Sequence, residues 1–541
     1  MAGPFFVGVD VGTGSARAGV FDAVGTLLTS QKHDIRIWRD AGEIVEQSSA
    51  DIWDAVCRAV RGAVAQAGVE HEQIGGLGFD AACSLVMLDK QMRPLSVSLT
   101  KEAERNVIVW MDHRAIDQTE RINATGHHVL DYVGGRMSPE MQTPKLLWLK
   151  ENLPERFASA GQFFDLVDFL TWSATGSLTR SACTVACKWT YLAHEGSWDS
   201  SYFRQVGLGE LADEDYARIG QQIAAPGTPL GNGLSNAAAQ ALGLCPGTPV
   251  GAGLIDAHAG GIGTVGADTE SGPEAMMGYV FGTSACTMAS SGKPIFVTGV
   301  WGPYYSAMVP GLWLSEGGQS AAGEAIAHLI TTHPAREEAQ ARANAADQSI
   351  QAYLLSKAEQ RCPDLSSAVD IAGARIIVPE FLGNRAPYAD PNATAVISGL
   401  TLQVGFDDLL ATYIAGVFGV GYGLRQIIEA QRAHGLAPSA VVISGGAGES
   451  DMMKQLLADA SGLSILSITC PEPVLLGAAM LGGVASGHYR SLQESMKTMS
   501  HISKRFTPTG GRNASYHDFR FKAYETLQST DRDLRAALKE I

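Results

Sequence analysis

Short apolar runs separated by turns of small residues set the pattern of this chain from its start. Residues 5–10 are apolar up to a final carboxylate, residues 11–15 combine glycine with hydroxyl side chains, and residues 16–21 form a second apolar run. Two such runs around a turn of small residues predict a β-hairpin. Residues 52–66 instead carry apolar positions at helical spacing, so we predict a helix there.

The hairpin pattern recurs in the second half of the chain. Residues 275–280 form an apolar run, residues 281–284 a turn with a Gly-Thr pair, and residues 285–289 another apolar run. When this Gly-Thr pair is aligned with that of the first hairpin, Asp10 falls on Val280, so the second copy lacks the acid. We therefore predict two related halves with a ligand cleft between them.

A third glycine-rich loop, within residues 441–448, follows a strand-like run and precedes a predicted helix over residues 451–460. A strand, a glycine loop and a helix in this order present free N–H groups and a helix N-terminus, which suits a phosphate or a nucleotide. The remaining predicted elements are strands over residues 74–79 and 84–88, and helices over residues 473–485 and 512–541.

Charge and length narrow the class of protein. Lys and Arg total 40 and Asp and Glu total 56 among 541 residues, which gives a formal net charge of −16. Binding to nucleic acid or to acidic membranes generally needs a basic face, so we expect neither partner. No signal peptide opens the chain, and the most membrane-like stretch, residues 474–485, is shorter than the ~20 residues of a span. We therefore expect a cytoplasmic protein.

Cysteine and glycine usage adds two expectations. The eight cysteines are scattered, which is not typical of a secreted disulfide framework. Cys183 and Cys187 have the spacing of half a metal site, but no second Cys/His pair of suitable spacing is evident, so we expect no such site. The 61 glycines exceed the usual share of ~7% and cluster in loops, where backbone can approach a ligand closely.

The first candidate for chemistry is Asp10 with the turn Gly12, Thr13, Gly14 and Ser15. The N–H and hydroxyl groups of such a turn can hold a terminal phosphate, and the carboxylate can hold Mg²⁺. The alternative is an acid in an ordinary hairpin. The recurrence of the Gly-Thr pair in the second hairpin favours the functional interpretation.

The second candidate is Asp256, which follows an apolar run and lies among small residues. A carboxylate there can act as a base, or as an orienting group, for a hydroxyl that attacks phosphorus. The alternative is a helix N-cap, a position that favours Asp. His258 lies two residues further on, and we expect a satisfied helix histidine rather than a base.

Three further charged residues are candidates for binding a polyhydroxylated ligand. Asp112 lies beside Trp110 in a stretch that mixes aromatic and charged groups. Lys188 and Glu316 lie among mostly apolar or small residues, where charges are not buried without partners. The alternatives are a helix cap for Asp112 and a structural ion pair for Lys188 and Glu316.

Together these motifs resemble those of the FGGY carbohydrate kinases, a family of the sugar kinase–Hsp70–actin superfamily. The resemblance runs over essentially the whole chain. Each motif alone is weak, whereas six motifs in order are specific. They occupy residues 8–13, 254–260, 281–284, 316–320, 383–387 with 390–391, and 444–447.

Within the family, the chain most resembles the ribulokinase branch, in particular the D-ribulokinases. That group has a Thr-Cys-Ser-Leu-Val signature, of which this chain keeps four positions and has Ala82 before Cys83. It therefore lacks the Thr hydroxyl, and one missing hydrogen bond can alter a sugar preference. The stretches with the closer match are residues 110–115, 132–135, 141–149, 187–191 and 299–304.

The resemblance implies an α/β fold of two actin-like, ribonuclease H-like lobes with the site in the cleft between them. We place the sugar-binding lobe, with the catalytic Asp, at residues 1–268 and the nucleotide-binding lobe at residues 269–541. The implied reaction is ATP-dependent phosphorylation of a ketopentose, with D-ribulose to D-ribulose 5-phosphate as the leading candidate. The implied cofactors are ATP and Mg²⁺.

The resemblance also implies a role for each candidate residue. Asp256 matches the catalytic base of the family, and Asp10 matches the metal-binding acid of the first phosphate loop. The implied sugar-binding residues are Ala82, Cys83, Asp112, Lys188, Asp256 and Glu316. The implied nucleotide-binding residues are Gly12, Thr13, Gly14, Ser15, Arg17, Gly282, Thr283, Gly323, Gly445, Gly446 and Ala447.

Two other functions stay open at this point. One is the same chemistry on L-ribulose, D-xylulose or ribitol, and the other is a non-catalytic, nucleotide-dependent regulator that has kept the fold. The presence of both Asp10 and Asp256 disfavours the regulator, because a switch needs no transfer base. The expected partners are a small sugar and ATP, and a homodimer is a candidate assembly.

Overall fold

The computed structural model describes residues 3–40, 43–267, 272–446 and 450–539. The strands are β1 (Phe5–Val11), β2 (Ser15–Phe21), β3 (Leu27–Asp34), β4 (Ile37–Arg39), β5 (Val45–Gln47), β6 (Ile74–Ala81), β7 (Leu85–Asp89), β8 (Val107–Ile108), β9 (Ala160–Asp165), β10 (Arg180–Ser181), β11 (Ile223–Ala224), β12 (Leu254–Ile255), β13 (Met276–Phe281), β14 (Ala285–Ser291), β15 (Trp301–Tyr305), β16 (Trp313–Gln319), β17 (Ile376–Val378), β18 (Val396–Ser398), β19 (Ala440–Ser444), β20 (Ser464–Ile468) and β21 (Ile502–Phe506).

The helices lie between these strands and at the end of the chain. They are α1 (Ser49–Ala67), α2 (Ile116–Asn123), α3 (Gln142–Asn152), α4 (Pro154–Ser159), α5 (Leu166–Thr175), α6 (Ala182–Trp189), α7 (Ser200–Gln205), α8 (Gly209–Asp213), α9 (Asn236–Leu242), α10 (Asp256–Val265), α11 (Gly323–Thr331), α12 (Arg336–Ala345), α13 (Ile350–Arg361), α14 (Val369–Ala372), α15 (Phe406–Ala433), α16 (Asp451–Ser461), α17 (Pro473–Ala485), α18 (Leu492–Met499) and α19 (Arg512–Lys539).

Two large sheets share one strand order at their centres. The first has the order β12-β6-β1-β2-β3, and the second has the order β15-β16-β14-β13-β19-β20-β21. β1 runs antiparallel to β2 and parallel to β6, and β13 runs antiparallel to β14 and parallel to β19. The two hairpins are therefore matching parts of two related sheets, and the α/β fold with two such lobes is confirmed.

Helices α10 and α17 cross from one sheet to the other. α10 begins directly after β12 of the first sheet and packs against β13 and β19 of the second. α17 follows β20 of the second sheet and packs against β1 and β6 of the first. The two helices also pack against each other. The sheets are thus joined by a pair of exchanged helices, which places β1 and β6 of the first sheet next to a helix from the second half.

Glycine makes these helix contacts possible. A Cβ on Gly8, in β1, would lie 1.9 Å from the carbonyl oxygen of Leu475 in α17. Between the helices, a Cβ on Gly477 would lie 2.0 Å from the carbonyl oxygen of Ala259 in α10. Backbone can approach backbone this closely only where no side chain intervenes. Gly8 therefore allows the short distance between β1 and α17, and Gly477 allows the short distance between α17 and α10.

Most elements expected from the sequence are present. α1 extends the first predicted helix, α16 begins at residue 451 and α17 spans residues 473–485 as predicted. The described part of the C-terminal helix runs to residue 539. The predicted division between residues 268 and 269 falls within residues 268–271, outside the described residues, and stays a prediction.

A smaller sheet, in the order β4-β5-β8-β7-β9, lies in the first half of the chain. Its strand β8 leads directly into the stretch that holds Trp110 and Asp112. Within the described ranges, no helix combines the length and the apolar character that crossing a bilayer requires.

We expect Gly8→Ala to destabilise the chain by about 3 kcal/mol or more, because overpacking typically costs about 1–3 kcal/mol and here the new methyl group meets backbone rather than a movable side chain. The measurement is the shift of the thermal unfolding midpoint. Gly510→Ala is the matched control, since a Cβ on Gly510 would meet no atom within 4 Å. Equal unfolding midpoints for Gly8→Ala and the parent chain would contradict this account of the contact.

Candidate active site

Three carboxylates meet at the carboxyl ends of neighbouring strands in the first sheet. Asp10 in β1 lies opposite Asp80 in β6, and Leu254 in β12 lies opposite Asp80 from the other side. Asp256 is the first residue of α10, directly after β12. The register of the sheet therefore brings Asp10 and Asp256 to one edge, on either side of Asp80.

Asp80 is the acid of this group that the sequence analysis missed. Its side chain is fully buried, and neither of its oxygens accepts a hydrogen bond from a donor in the described part of the chain. Burial, together with the nearby charge of Asp10, raises the pKa of Asp80 well above its usual value. A signal was present, because Asp80 ends an apolar run as Asp10 does, but the predicted strand stopped one residue earlier, at Phe79.

Arg17 in β2 holds Asp10 in place. Nε of Arg17 donates to Oδ2 of Asp10 at 2.8 Å, and Nη2 bonds the same oxygen. Nη1 of Arg17 donates to Oε2 of Glu472 at 2.7 Å, immediately before α17. Arg17 thus joins the first hairpin to the start of a helix from the second half, and its predicted contact with a nucleotide stays a prediction.

Asp256 is half-buried, and its pKa is raised to about 6. Burial is the main cause and the charge of Asp10 the next, while an N–H bond from Ala257 and the charges of His258 and Lys188 act in the opposite direction. The N–H of Ala257 donates to Oδ1 at 2.7 Å. The N-cap of α10 is the preceding residue, so the N-cap alternative for Asp256 is wrong. A carboxyl group with a pKa near neutrality is well matched to proton transfer at physiological pH.

The first glycine turn, residues 12–15, is held by hydrogen bonds on one side and borders open space on the other. The N–H of Gly12 donates to the carbonyl oxygen of Ser15 at 3.1 Å, and Nε1 of Trp110 donates to Oγ1 of Thr13 at 2.9 Å. A Cβ on Gly14 would meet no atom within 4 Å. The turn therefore borders open space, where an anionic group can approach its backbone.

The second turn contacts the start of a helix. Gly282 and Thr283 are exposed, and the N–H of Gly323, the first residue of α11, donates to the carbonyl oxygen of Gly282 at 3.0 Å. A Cβ on Gly323 would lie 2.6 Å from that oxygen, so a side chain would push the helix away from the turn. The two predicted nucleotide-binding segments that hold these residues are therefore in direct contact.

The third loop begins next to the second turn. Gly445 has a φ of 87°, and a Cβ there would lie 2.2 Å from the carbonyl oxygen of Phe281, directly before the second turn. Gly446 is exposed, and a Cβ on it would meet no atom within 4 Å. Ala447, the last predicted residue of this loop, lies outside the described residues. The structure thus brings Gly445 to the second turn.

Lys188, Glu316 and Arg385 form a buried polar cluster around Trp301. Nη2 of Arg385 donates to Oε1 of Glu316 at 2.9 Å, and the guanidinium lies 4.3 Å from the ring centre of Trp301. Nζ of Lys188 lies 4.7 Å from the same ring centre and has no hydrogen bond to another described residue. Arg385 lies in one of the motifs that carry the family resemblance, but no role was predicted for it.

The charges of the cluster stabilise each other. Burial opposes ionisation of Glu316, but Lys188, His258 and Arg385 lower the pKa of its carboxyl group below the usual range. Burial likewise opposes the charge on Lys188, and Cys83 and Glu316 raise its pKa well above the usual value. The ion pairs of Glu316 are with His258 and Arg385 rather than with Lys188. The ammonium group therefore keeps its donors for a ligand.

Asp112 is held by its own loop. Its side chain is fully buried, Nε of Arg114 donates to Oδ1 at 2.8 Å, and Nη2 of Arg114 and the N–H of Val45 each donate to Oδ2 at 2.6 Å. α2 begins at Ile116, so Asp112 does not cap it. Each oxygen of Asp112 accepts two hydrogen bonds, whereas each oxygen of Glu316 has a single partner, so we assign Asp112 a structural ion pair and leave it out of the proposed sugar site.

Ala82 and Cys83 lie between the acids and the polar cluster. The N–H of Ala82 donates to the carbonyl oxygen of Val11 at 2.9 Å, and Nε2 of Gln142 donates to the carbonyl oxygen of Cys83 at 2.9 Å. Burial raises the pKa of the Cys83 thiol to about 12, although the nearby positive charge of Lys188 acts to lower it. Both residues are buried, and their contact with a sugar stays a prediction.

His258 is a satisfied helix histidine, as predicted. Its ring is fully buried, Nδ1 lies 3.0 Å from Sγ of Cys183, and Nε2 lies 3.3 Å from Oε2 of Glu316. The ring therefore has no nitrogen left to act as a base on a ligand.

The combined arrangement suits transfer of an anionic group to a hydroxyl. Open glycine turns offer N–H groups to phosphate oxygens, three carboxylates offer oxygen ligands to a hard cation, and Asp256 has a pKa suited to proton transfer. The adjacent cluster of Lys188, Glu316 and Arg385 offers donors and an acceptor to hydroxyl groups.

Comparisons with known proteins agree with this geometry. The model of the N-terminal domain of the FGGY family of carbohydrate kinases matches residues 5–263, and the model of the C-terminal domain matches residues 277–486. An FGGY carbohydrate kinase domain-containing protein of Homo sapiens is 45% identical, covering 99% of this chain and 98% of that protein.

Two further relatives extend the comparison. A D-ribulokinase of Saccharomyces cerevisiae is 38% identical, covering 97% of this chain and 78% of that protein. The crystal structure of a xylulose kinase from Rhodospirillum rubrum superposes with a TM-score of 0.79 at 20% identity, covering 98% of this chain and 99% of that one. The chain, with its two related sheets and the acids at their junction, belongs to the FGGY family of carbohydrate kinases.

Proposed function

We propose that this chain transfers the γ-phosphoryl group of ATP to the 5-hydroxyl of D-ribulose, giving D-ribulose 5-phosphate and ADP, with Asp256 as the base. The choice of a pentulose is supported by the 38% identity to the D-ribulokinase of Saccharomyces cerevisiae. The observation that carries the proposal is the buried cluster of Lys188, Glu316 and Arg385 beside Asp256, whose pKa the charge of Lys188 influences.

Asp256 supplies the proton acceptor. With a pKa of about 6, its carboxyl group is roughly nine-tenths ionised at pH 7. Phosphoryl transfer has a loose transition state, so the attacking hydroxyl keeps its proton until late in the step. The sugar oxygen forms its bond to phosphorus as the bond to the ADP oxygen breaks, and the hydroxyl proton moves to the Asp256 carboxylate.

The acids of the first sheet fit a hard divalent cation. Asp80 has two buried oxygens without a donor, and Arg17 bonds only Oδ2 of Asp10. Carboxylate oxygens are the ligands that Mg²⁺ prefers, so Asp10 would hold the ion, directly or through water, with Asp80 behind it. When bound, Mg²⁺ neutralises charge on the phosphates. A cation there would also reduce the repulsion between Asp10 and Asp80.

The glycine turns bind and orient the phosphates in this proposal. Thr13 and Gly14 from the first hairpin, and Thr283 from the second, present N–H and hydroxyl groups from opposite sheets, while the N–H groups of Gly12 and Gly282 close their own turns. Because the two turns belong to different sheets, rotation of one sheet toward the other would close the site and exclude water that would otherwise hydrolyse ATP.

The polar cluster orients the sugar. Lys188 has free N–H donors, Glu316 can accept from sugar hydroxyls, and Trp301 offers an apolar face between the two cations. These contacts hold the substrate against Asp256 without taking part in the proton transfer. Ala82 has a methyl group where the D-ribulokinases have a Thr hydroxyl. The substrate panel below therefore includes other pentuloses and a pentitol, any of which could prove to be the preferred substrate.

For the substrate, we expect kcat/KM to be highest with D-ribulose in a panel of D-ribulose, L-ribulose, D-xylulose and ribitol, since recognition by hydrogen-bonding groups rejects analogues whose hydroxyls are displaced. The measurement is ADP formation in a coupled assay at saturating ATP and Mg²⁺. Equal kcat/KM values for the four substrates, or a higher value for another of them, would exclude D-ribulose as the preferred substrate without excluding kinase activity.

For the base, we expect Asp256→Asn to reduce kcat by about 10²–10⁴, which is the usual contribution of a general base, while the Kd for ATP stays unchanged. Asp117→Asn is the matched control, because Asp117 is an exposed acid in the first turn of another helix. Full activity in Asp256→Asn would exclude the role of Asp256 as the base.

For the pH dependence, we expect kcat/KM to fall tenfold per pH unit below about pH 6, since the base is active only when ionised and the pKa of Asp256 is raised to about 6. The residual activity of Asp256→Asn should lack this acid limb, because the amide does not ionise. An acid limb that persists at about pH 6 in Asp256→Asn would show that Asp256 does not set it.

A further inference from the structure

Three potential metal ligands converge behind the polar cluster. Sγ of Cys183, Sγ of Cys187 and Nδ1 of His258 all lie within 4.8 Å of one another, and all three side chains are fully buried. This group is separate from the acids of the first sheet and contains sulfur and nitrogen in place of carboxylate oxygen. Nothing in the phosphoryl transfer described above uses its two thiols.

The fold brings the ligands together from two helices. Cys183 and Cys187 lie one turn apart on α6, so both thiols are on the same face of that helix. His258 belongs to α10, 75 residues from Cys183 along the chain. The spacing of the two cysteines indicates half a metal site, and the third ligand is a single histidine that only the tertiary structure brings to them.

Glu316 orients the histidine from the other side. Nε2 of His258 lies 3.3 Å from Oε2 of Glu316, while Nδ1 points to the thiol of Cys183 at 3.0 Å. Metal-binding histidines usually donate their second ring N–H to a carboxylate or carbonyl, which fixes the tautomer. The Glu316–His258 contact already has this arrangement, with Nδ1 available as the ligand atom.

We propose that Cys183, Cys187 and His258 form a binding site for a soft or borderline divalent cation of the Zn²⁺ class. Zn²⁺ binds thiolate at about 2.3 Å and imidazole at about 2.0–2.1 Å, which puts tetrahedral ligands about 3.5–3.8 Å apart. The three atoms need only small side-chain movements to reach these distances. Thiolate ligands select this class over Mg²⁺, which the acids of the first sheet suit.

The fourth position of the site has a candidate neighbour. The hydroxyl oxygen of Tyr304 is buried and makes no hydrogen bond within the described part of the chain, and Cys187 is close enough to influence the pKa of Tyr304. A water molecule held by this hydroxyl would complete a tetrahedral site. The proposal itself needs only the two sulfur ligands and the one nitrogen ligand.

The test uses the full-length chain, freed of metal with a chelator and kept reduced. We expect titration with Co²⁺ to give one equivalent of a tetrahedral complex with a thiolate-to-metal charge-transfer band, and Zn²⁺ to displace it. Cys183→Ser and Cys187→Ser should each abolish the band and weaken Zn²⁺ binding by about 100-fold or more, beyond the 10–100-fold that outer-shell changes cost. These readouts do not depend on kinase activity, so failure of the proposed reaction would not affect them.

Cys245→Ser is the matched control, because Cys245 belongs to a second group of potential ligands with His71 and Glu72. It should leave the charge-transfer band and the Zn²⁺ affinity unchanged. X-ray absorption of the Zn²⁺-loaded parent chain gives a second measurement that needs no variant, and we expect two sulfur ligands at about 2.3 Å. No thiolate band with the parent chain, a band lost only in Cys245→Ser, or fewer than two sulfur ligands would each overturn the proposal.

Discussion

Helix α17 lies against β1 and β6 at a distance that leaves no room for a Cβ at the points of closest approach. At Gly8 a single methyl group would overlap the carbonyl oxygen of Leu475, and at Gly477 it would overlap that of Ala259. These contacts fix α17 to the first sheet and α10 to α17 at the same time. Because Asp256 is the first residue of α10 and Glu472 immediately precedes α17, the positions of Asp256 and of the Arg17 ion pair follow from how closely backbone meets backbone.

The acids at this junction are costly to place together, and their environment offsets the cost. Asp10 is neutralised by Arg17, Asp80 is driven toward its protonated form by burial and by Asp10, and Asp256 is left with a pKa of about 6. Like charges at one sheet edge thus give the arrangement on which the proposed cation site and the proposed base depend. The neighbouring cations Lys188 and Arg385 are instead balanced by Glu316.

Local patterns were enough to predict the two hairpins with their turns and several of the helices, but not the elements between residues 90 and 265 or between residues 300 and 433. The hairpin around Gly12 and the helix over residues 473–485 follow from apolar spacing and from glycine, which act over a few residues. Asp80, Arg385 and the Cys183–His258 contact could not be predicted in the same way. Their environment is set by strand register and by helices distant in sequence, and an acid after an apolar run has the same local appearance whether it is exposed or fully buried.

Asp112 is the opposite case, because its local sequence suggested a ligand contact that its hydrogen bonds in the fold do not favour. A carboxylate beside Trp110 looks suited to a sugar, yet Arg114, two residues away, takes both of its oxygens. The sequence shows that Asp112 and Arg114 are close along the chain but not how their side chains are oriented. Only the fold could therefore decide between a ligand contact and a structural ion pair. The family resemblance supplied Asp256 and the glycine turns as candidates, and their roles stay predictions. The tertiary contacts show which of the other candidates have free donor or acceptor atoms.

The exchange of α10 and α17 between the sheets has a mechanical consequence. Each sheet is covered in part by a helix that belongs to the other half of the chain, so the halves cannot be pulled straight apart without exposing the glycine-lined faces of both. A rotation of one half against the other that is centred on the contact between α10 and α17 would disturb this contact least. Such a rotation would move atoms in proportion to their distance from the two helices, so the outer parts of the sheets would be displaced furthest.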